Sequence, residues 1–439
     1  MKKASIIIFC FVAFFMVQNA KAQKVITSLD ELLSYANQKS LTFKSGEIQV
    51  SQAKKATLAA LYGIADPTGS FSGTYTNNTK LPVNIFPAEF LGGKPGTYKE
   101  VQLGVQYQTN FNASVDIKLL NRQGWENLKL SKINVDLTES DNKLSRKILY
   151  DNVTVIYFNI LTLQEQLKAT ELNLLAADTL LQSVTQRYNQ GIAKQQDVND
   201  SKANKLLIEE NLRQIKFQIQ QQYTAINQLC DIPNGEEIHI NQLVSNDYAE
   251  IIPTIETNDL PFSNARFREK FAYTNYQKTL FGNLPTLSFF ASVSTQQYNT
   301  QATFFAENVN WIPSNYVGIK LNLPIPSSNS IGQIHKTKLD YFISKNNTEQ
   351  TQIKADLDIK QLQYQYEKAF SQRKSNQEIY ALRKDSYQKN VLNYKAGITN
   401  IDQTINSFNA MVNSNYDIIA SRINILLAEA KINLQNKIK

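Results

Sequence analysis

Residues able to do chemistry are few in this chain and stand apart from one another. His239 lies in a segment carrying Pro, Asn and Gly, and His335 follows an alternating apolar stretch; neither has Cys, Asp or Glu at metal-ligand spacing. Both read as ordinary surface or interface histidines. No Gly-rich phosphate loop, nucleophile elbow or triad is present, so neither catalysis nor a cofactor is expected. What recurs is a turn. "RYNQGIAKQQDVNDSKAN", Arg187 to Asn204, places Tyr188, Gly191 and Ile192 as "NYKAGITNIDQTINSFNA", Asn393 to Ala410, places Tyr394, Gly397 and Ile398. A glycine there can take the left-handed backbone that ends one helix and lets the next run back alongside it. Acids follow each turn: Asp197 and Asp200 after the first, Asp402 after the second. Near the start of a return helix, such carboxylates cap free N–H groups or offset the helix dipole.

The rest of the chain must supply those helices. The N-terminus "MKKASIIIFCFVAFFMVQNAKAQ" has Lys2 and Lys3, an apolar run from Ile6 to Val17, and Ala20 and Ala22 in an A-x-A arrangement, which predicts a signal peptide over residues 1–22. Cys10 within it follows Phe9 and lacks the small neighbour of a lipid-attachment site. Losing Lys2, Lys3 and Lys21 takes the formal charge from +8 to +5, too mild in a chain of 439 residues to imply a nucleic-acid partner. Only Cys230 survives, so no intrachain disulfide is expected. Beyond the signal no apolar run reaches the about 18 residues of a membrane-spanning helix.

From Val153 the positions Ile156, Ile160, Leu163, Leu167, Leu174, Ala177, Leu181, Val184 and Tyr188 step by three and four, with Thr170 polar in register, a heptad seam over five heptads. The step resumes at Ile208, Leu212, Ile215, Ile219, Ile226 and Leu229, and again at Ile405, Phe408, Val412, Ile419 and Leu426. Two long helical hairpins follow. An earlier helix is expected from Ser28, an N-cap with Glu31 at capping-box spacing, to about Leu61. Elsewhere the period is two: "SFSGTYT", "VQLGVQYQ", the stretch from Leu287 to Val293 and that from Val317 to Leu323 each set one apolar face against Gln, Ser, Thr or Asn. These predict four strands in two pairs, joined by loops near 77–99 and 298–315 that carry Phe86, Phe90, Phe304, Phe305 and Trp311, at a membrane girdle or in outer loops. The landmarks repeat with a Gly191-to-Gly397 offset of 206 residues (397 − 191). The expected organisation is a first repeat at 23–230, a linker at 231–261 and a second repeat at 262–439.

Alternating strands in an exported chain without a spanning helix suit an outer-membrane β-barrel. Four strands cannot close one, and an open sheet in hydrocarbon leaves two edges of unpaired N–H and C=O groups. Three copies would supply about twelve strands and a matching ring of helices. The fold class expected is therefore mainly α with β: a trimeric outer-membrane β-barrel of four strands per chain, continued by a periplasmic α-helical coiled-coil barrel, with a twofold internal repeat.

In its opening "TSLDELLSYA", its junctions "YGIADPTGSFSGTYT" and "FGNLPTLSFFASVS", its strand end "VGIKLNLPIP" and its two Tyr-x-x-Gly turns, the sequence resembles the TolC-like outer-membrane efflux channel family over nearly the whole mature chain. The resemblance implies a homotrimer in outer-membrane lipid, working in tripartite efflux or type I secretion. The turns would form a periplasmic tip where a periplasmic adaptor (membrane fusion) protein docks, coupling the channel to an inner-membrane efflux pump. It also implies an Asp six residues after the turn glycine, where carboxylates ring the aperture. Asp197 matches, with Asp200 one turn on; in the second repeat that position is Gln403 and the acid is Asp402. Helix capping remains the alternative for all three acids. A periplasmic adaptor, or a structural coiled coil with its strands in a sandwich, remains the alternative for the whole chain.

Overall fold

The computed structural model describes residues 23–233, 236–242, 255, 260–302 and 310–437. The expected signal peptide with Cys10, the loop residues Phe304 and Phe305, and most of the expected linker lie outside the described residues.

The described chain forms two compact units, and neither coincides with a repeat. The first comprises residues up to 49, 139–265 and 348–439; the second comprises 50–138 and 266–347. Each therefore draws on both halves of the sequence.

Helices dominate the first unit. Strand β1 (Gln23–Ile26) leads into α1 (Leu29–Lys39) and α2 (Leu41–Ala65). Ser28 caps α1 as expected, its hydroxyl accepting the Glu31 N–H at 3.2 Å, while the Glu31 carboxylate reaches one residue further back, to the Thr27 N–H at 2.9 Å. The single helix expected from Ser28 to Leu61 is two helices. It breaks at Ser40, where the Asp231 carboxylate accepts the first N–H of α2, that of Leu41, at 2.8 Å. A distant side chain makes this break, and the local sequence carries no sign of it.

The 68-residue α3 (Arg122–Asn189) returns as α4 (Gln195–Leu229), and the 68-residue α6 (Ser328–Lys395) returns as α7 (Ile401–Lys437). On α3 the seam residues Val153, Ile160, Ala177 and Val184 are buried. A second buried stripe, Tyr157, Leu161, Ala169 and Leu180, runs beside them because α3 has more than one helical neighbour. Ala177 of α3, Ile208 of α4, and Phe408 and Val412 of α7 meet in one cluster, with Tyr387 of α6 against it. A larger cluster joins Leu32 and Ala36 of α1, Tyr157 and Leu161 of α3, Ile226 and Cys230 at the end of α4, and Ile423 of α7. Strand β6 (Glu237–Ile240) closes it, pairing in parallel with β1. In the sequence, β6 falls inside the expected linker 231–261. Its pairing is non-local, and it is held by the Tyr223 hydroxyl, which accepts the Ile240 N–H at 3.0 Å.

In the second unit a four-stranded antiparallel sheet has the order β2 (Thr68–Asn77), β5 (Tyr107–Leu120), β7 (Thr286–Asn299), β8 (Trp311–Asn322). Helix α5 (Leu260–Phe281) precedes β7. The strand expected at Val101–Gln108 is not one strand. The backbone bends at Gly104, with φ 122°. Residues before the bend belong to β4 (Tyr98–Gln102), which pairs with β3 (Val83–Pro87), so the expected open loop holds a hairpin of its own. Those after it enter β5, whose alternation of Phe111, Ala113, Val115 and Ile117 against Asn110, Asn112, Ser114 and Asp116 the reading missed.

One sheet face carries Phe71, Val293, Val317, Ile319 and Leu321, each at least 63 % exposed. The other carries Ser70, Ser114, Ser292 and Asn112, with the Ser292 hydroxyl donating to the Asn112 side chain at 2.7 Å. Trp311 opens β8 and stacks on Phe111 at 5.7 Å. Phe86 lies in β3, and Phe90 is exposed in the short 3-10 turn (Ala88–Leu91) that follows it. Within the sheet β2 pairs only with β5 and β8 only with β7, so both outer edges lack a strand partner among the described residues. No described helix is long and apolar enough to cross a membrane.

Two outcomes test this packing. Phe408 is fully buried, and Phe408→Ala should cost about 3–5 kcal/mol of unfolding free energy, read as a lowered thermal midpoint. Burial also pushes the Cys230 thiol up to about 11. The thiol therefore stays protonated at pH 8, and Cys230 should resist alkylation by iodoacetamide until the protein is unfolded.

Candidate functional site

Both helical hairpins turn through the same hydrogen-bond pattern. Gly191 has φ 79° and donates to the Tyr188 carbonyl at 2.8 Å, while Ile192 donates to the Arg187 carbonyl at 2.9 Å. Gly397 has φ 77° and donates to the Tyr394 carbonyl at 3.1 Å, while Ile398 donates to the Asn393 carbonyl at 2.8 Å. This paired closure satisfies carbonyls that the last helical turn leaves without an intrahelical partner. A Cβ added at either glycine would meet nothing within 4 Å, so backbone conformation alone demands the glycine.

The turns look alike in sequence but present different side chains. Ile192 and Ile398 are 62 % and 73 % exposed, apolar tips open to solvent. Tyr188 is 40 % exposed, whereas Tyr394 is buried with Leu180, Val184 and Ile401. Arg187 adds to the difference. Its guanidinium donates to the Lys395 carbonyl at 2.8 Å and lies 5.0 Å from the centre of the Tyr394 ring, so the first turn holds the second by the end of α6. Burial pushes the Tyr394 hydroxyl above its ordinary pKa, with Arg187 pulling it down and Asp197 pushing it up. Sequence reasoning passed over Arg187 because the matching position in the second repeat is Asn393. A comparison of the repeats for differences as well as likenesses would have picked it out.

The return helices are capped by different means. The Asp197 carboxylate, in the first turn of α4, accepts the Lys194 N–H at 2.9 Å. On α7 the Asn400 side chain accepts the Gln403 N–H at 2.9 Å. Asp402 sits in that first turn, exposed, with the capping done by its neighbour. Asp200 is half-buried one turn into α4. His239 lies on β6 with its ring 6.0 Å from that of Tyr223. Among the described residues no three His, Cys, Asp or Glu side chains come together to hold a metal ion.

Residues 99–230 match the family model of the outer membrane efflux protein. The outer membrane protein VceC of Vibrio cholerae is similar in structure, with a TM-score of 0.73 at 14 % identity, covering 93 % of this chain and 95 % of its own. So are the CmeC outer membrane channel of Campylobacter jejuni, with a TM-score of 0.68 at 16 % identity over 93 % and 85 %, and the MtrE outer membrane channel of Neisseria gonorrhoeae in its open state, with 0.61 at 11 % over 93 % and 88 %. The chain has the fold of these outer-membrane channels. The resemblance to the outer-membrane efflux channel family read in the sequence is borne out. No curated protein sequence matches the chain.

A left-handed alanine costs about 1–2 kcal/mol relative to glycine. Gly191→Ala and Gly397→Ala should therefore each lower stability by about that amount in chemical denaturation, because no side-chain clash contributes at either position.

Proposed function

We propose that the chain is the outer-membrane channel subunit of a tripartite efflux or type I secretion system, passing substrates from an inner-membrane pump through a periplasmic adaptor to the outside. The observation that carries this reading is the sheet. It exposes an apolar face, sets a polar face opposite, and leaves two long edges without partners. In hydrocarbon each unsatisfied backbone group costs several kcal/mol, so such a sheet must be completed by copies of itself. Three copies give about twelve strands, enough for a water-filled lumen. The outer-membrane efflux family match and the fold shared with outer-membrane channels support the same reading. The protein is a conduit and not an enzyme, and its helices extend into the periplasm. Residues 1–22 direct export, and the repeats 23–230 and 262–439, joined by the linker 231–261, each contribute one strand pair and one helical hairpin.

The exposed tips Tyr188, Ile192 and Ile398, set by Gly191, Tyr394 and Gly397, are the docking surface for the adaptor. Apolar side chains at reversals fixed by backbone geometry form a preorganised contact. Of the acids after the turns, Asp402 is the one that faces solvent without a capping bond, and with Asp197 and Asp200 it lines the aperture.

Detergent-extracted protein should run as a trimer and conduct ions in a planar bilayer; a monomer soluble in plain buffer, without conductance, would overturn the reading. Asp402→Ala should lower the cation share of the current by weakening a carboxylate ring, and an unchanged current–voltage curve removes Asp402 from the aperture. Gly191→Val with Gly397→Val should abolish adaptor-dependent export while leaving outer-membrane fractionation intact, and normal export by the double variant would exclude the docking role.

A further inference from the structure

Along β2, β5, β7 and β8 the charged residues are Asp116, Lys118 and Lys320. They are not scattered. Strand register sets Lys118 opposite Ser288, and Ser288 opposite Lys320, so the two lysines share one rung of the sheet with a buried serine between them. All three charges fall on the polar face, where alternation also puts Ser114 and Ser292. Each lysine has an acid. Lys320 pairs with Asp116 across the sheet at 3.2 Å, and Lys118 pairs with Asp66, which follows the C-terminus of α2.

The pairs are unequal in exposure: the Lys118 side chain is 32 % exposed against 44 % for Asp66, so the carboxylate stands outermost there. The Lys320 side chain is 58 % exposed and its Asp116 partner 28 %. The ammonium group therefore stands outermost on this pair. Beside it lies a hollow of about 340 Å³ whose lining includes Ser114, Asp116, Ser292, Tyr316 and Lys320 together with the apolar ring of Phe290. Hydroxyl donors around a protruding ammonium suit a carboxylate or phosphate group on a passing solute.

We propose that Lys320 on this rung is a charge screen in the wall of the channel, favouring anionic solutes over cationic ones, with Asp116 as the group that tempers it. The inference rests on the trimeric-channel reading, in which the polar face lines the lumen and three copies turn the rung into a ring. Like charges brought around one lumen add their potentials, and low-dielectric walls focus the field. The effect is strongest at low ionic strength, since the Debye length is about 10 Å at 0.1 M salt and longer below it.

Reversal potentials of reconstituted channels under a dilute potassium chloride gradient test it. Lys320→Gln should shift the potassium-to-chloride permeability ratio several-fold toward potassium, Asp116→Asn should shift it toward chloride, and Lys320→Arg should keep the wild-type value. A hydrated solute carrying several negative charges, inorganic tripolyphosphate, should reduce wild-type current when added from the barrel side and should do so less in Lys320→Gln. If the variants conduct but keep the wild-type ratio, or both shift it the same way, the screen is overturned while the channel reading stands. If no form of the protein conducts, the channel reading itself fails and the screen falls with it.

Discussion

An unpaired strand edge is the constraint on which this structure depends. Strand β2 offers ten residues and β8 twelve, each bonded on one side within the sheet, and the apolar face between them is open. In water such a sheet would aggregate, and in lipid it would leave its edges unsatisfied. Under the trimeric reading, further copies would pair the edges and lipid would cover the apolar face. Under the channel reading, closing the edges would also enclose water, because the face opposite the apolar one carries Ser, Asn and Gln together with Asp116, Lys118 and Lys320.

Helical packing follows a different logic. The seams around Val153, Ile160, Ala177 and Phe408 bury enough apolar surface, at about 1.5–3 kcal/mol per large side chain, to hold four long helices together. Yet many apolar residues of the same helices stay open, among them Leu172, Leu207, Leu339, Ile353 and Leu382. A surface so rich in exposed apolar groups suits contact with other chains, as the trimeric reading requires.

Where the repeats diverge, one side chain does what two similar sequences could not. The turns share a backbone closure to within two degrees of φ at the glycine, but Arg187 binds the Lys395 carbonyl and covers Tyr394, while the second repeat offers Asn393. Capping diverges likewise, with Asp197 serving α4 and Asn400 serving α7. The two turns share one backbone framework, and single side chains make them unlike where they meet.

By itself the sequence determined what local physics controls. Heptad spacing marked the seams, glycine marked the turns at Gly191 and Gly397, the Ser28 cap set the start of α1, and alternation marked β2, β7 and β8, because periods of three to four and of two report which face is buried. It determined also that one copy has too few strands to close. Only the tertiary structure decided what depends on distant partners. The Asp231 carboxylate splits the first helix at Ser40, β6 finds β1 across more than two hundred residues, and Arg187 joins turns that lie far apart in the chain. No window of sequence contains both members of any such pair, so their meeting is settled by the packing that brings them into reach.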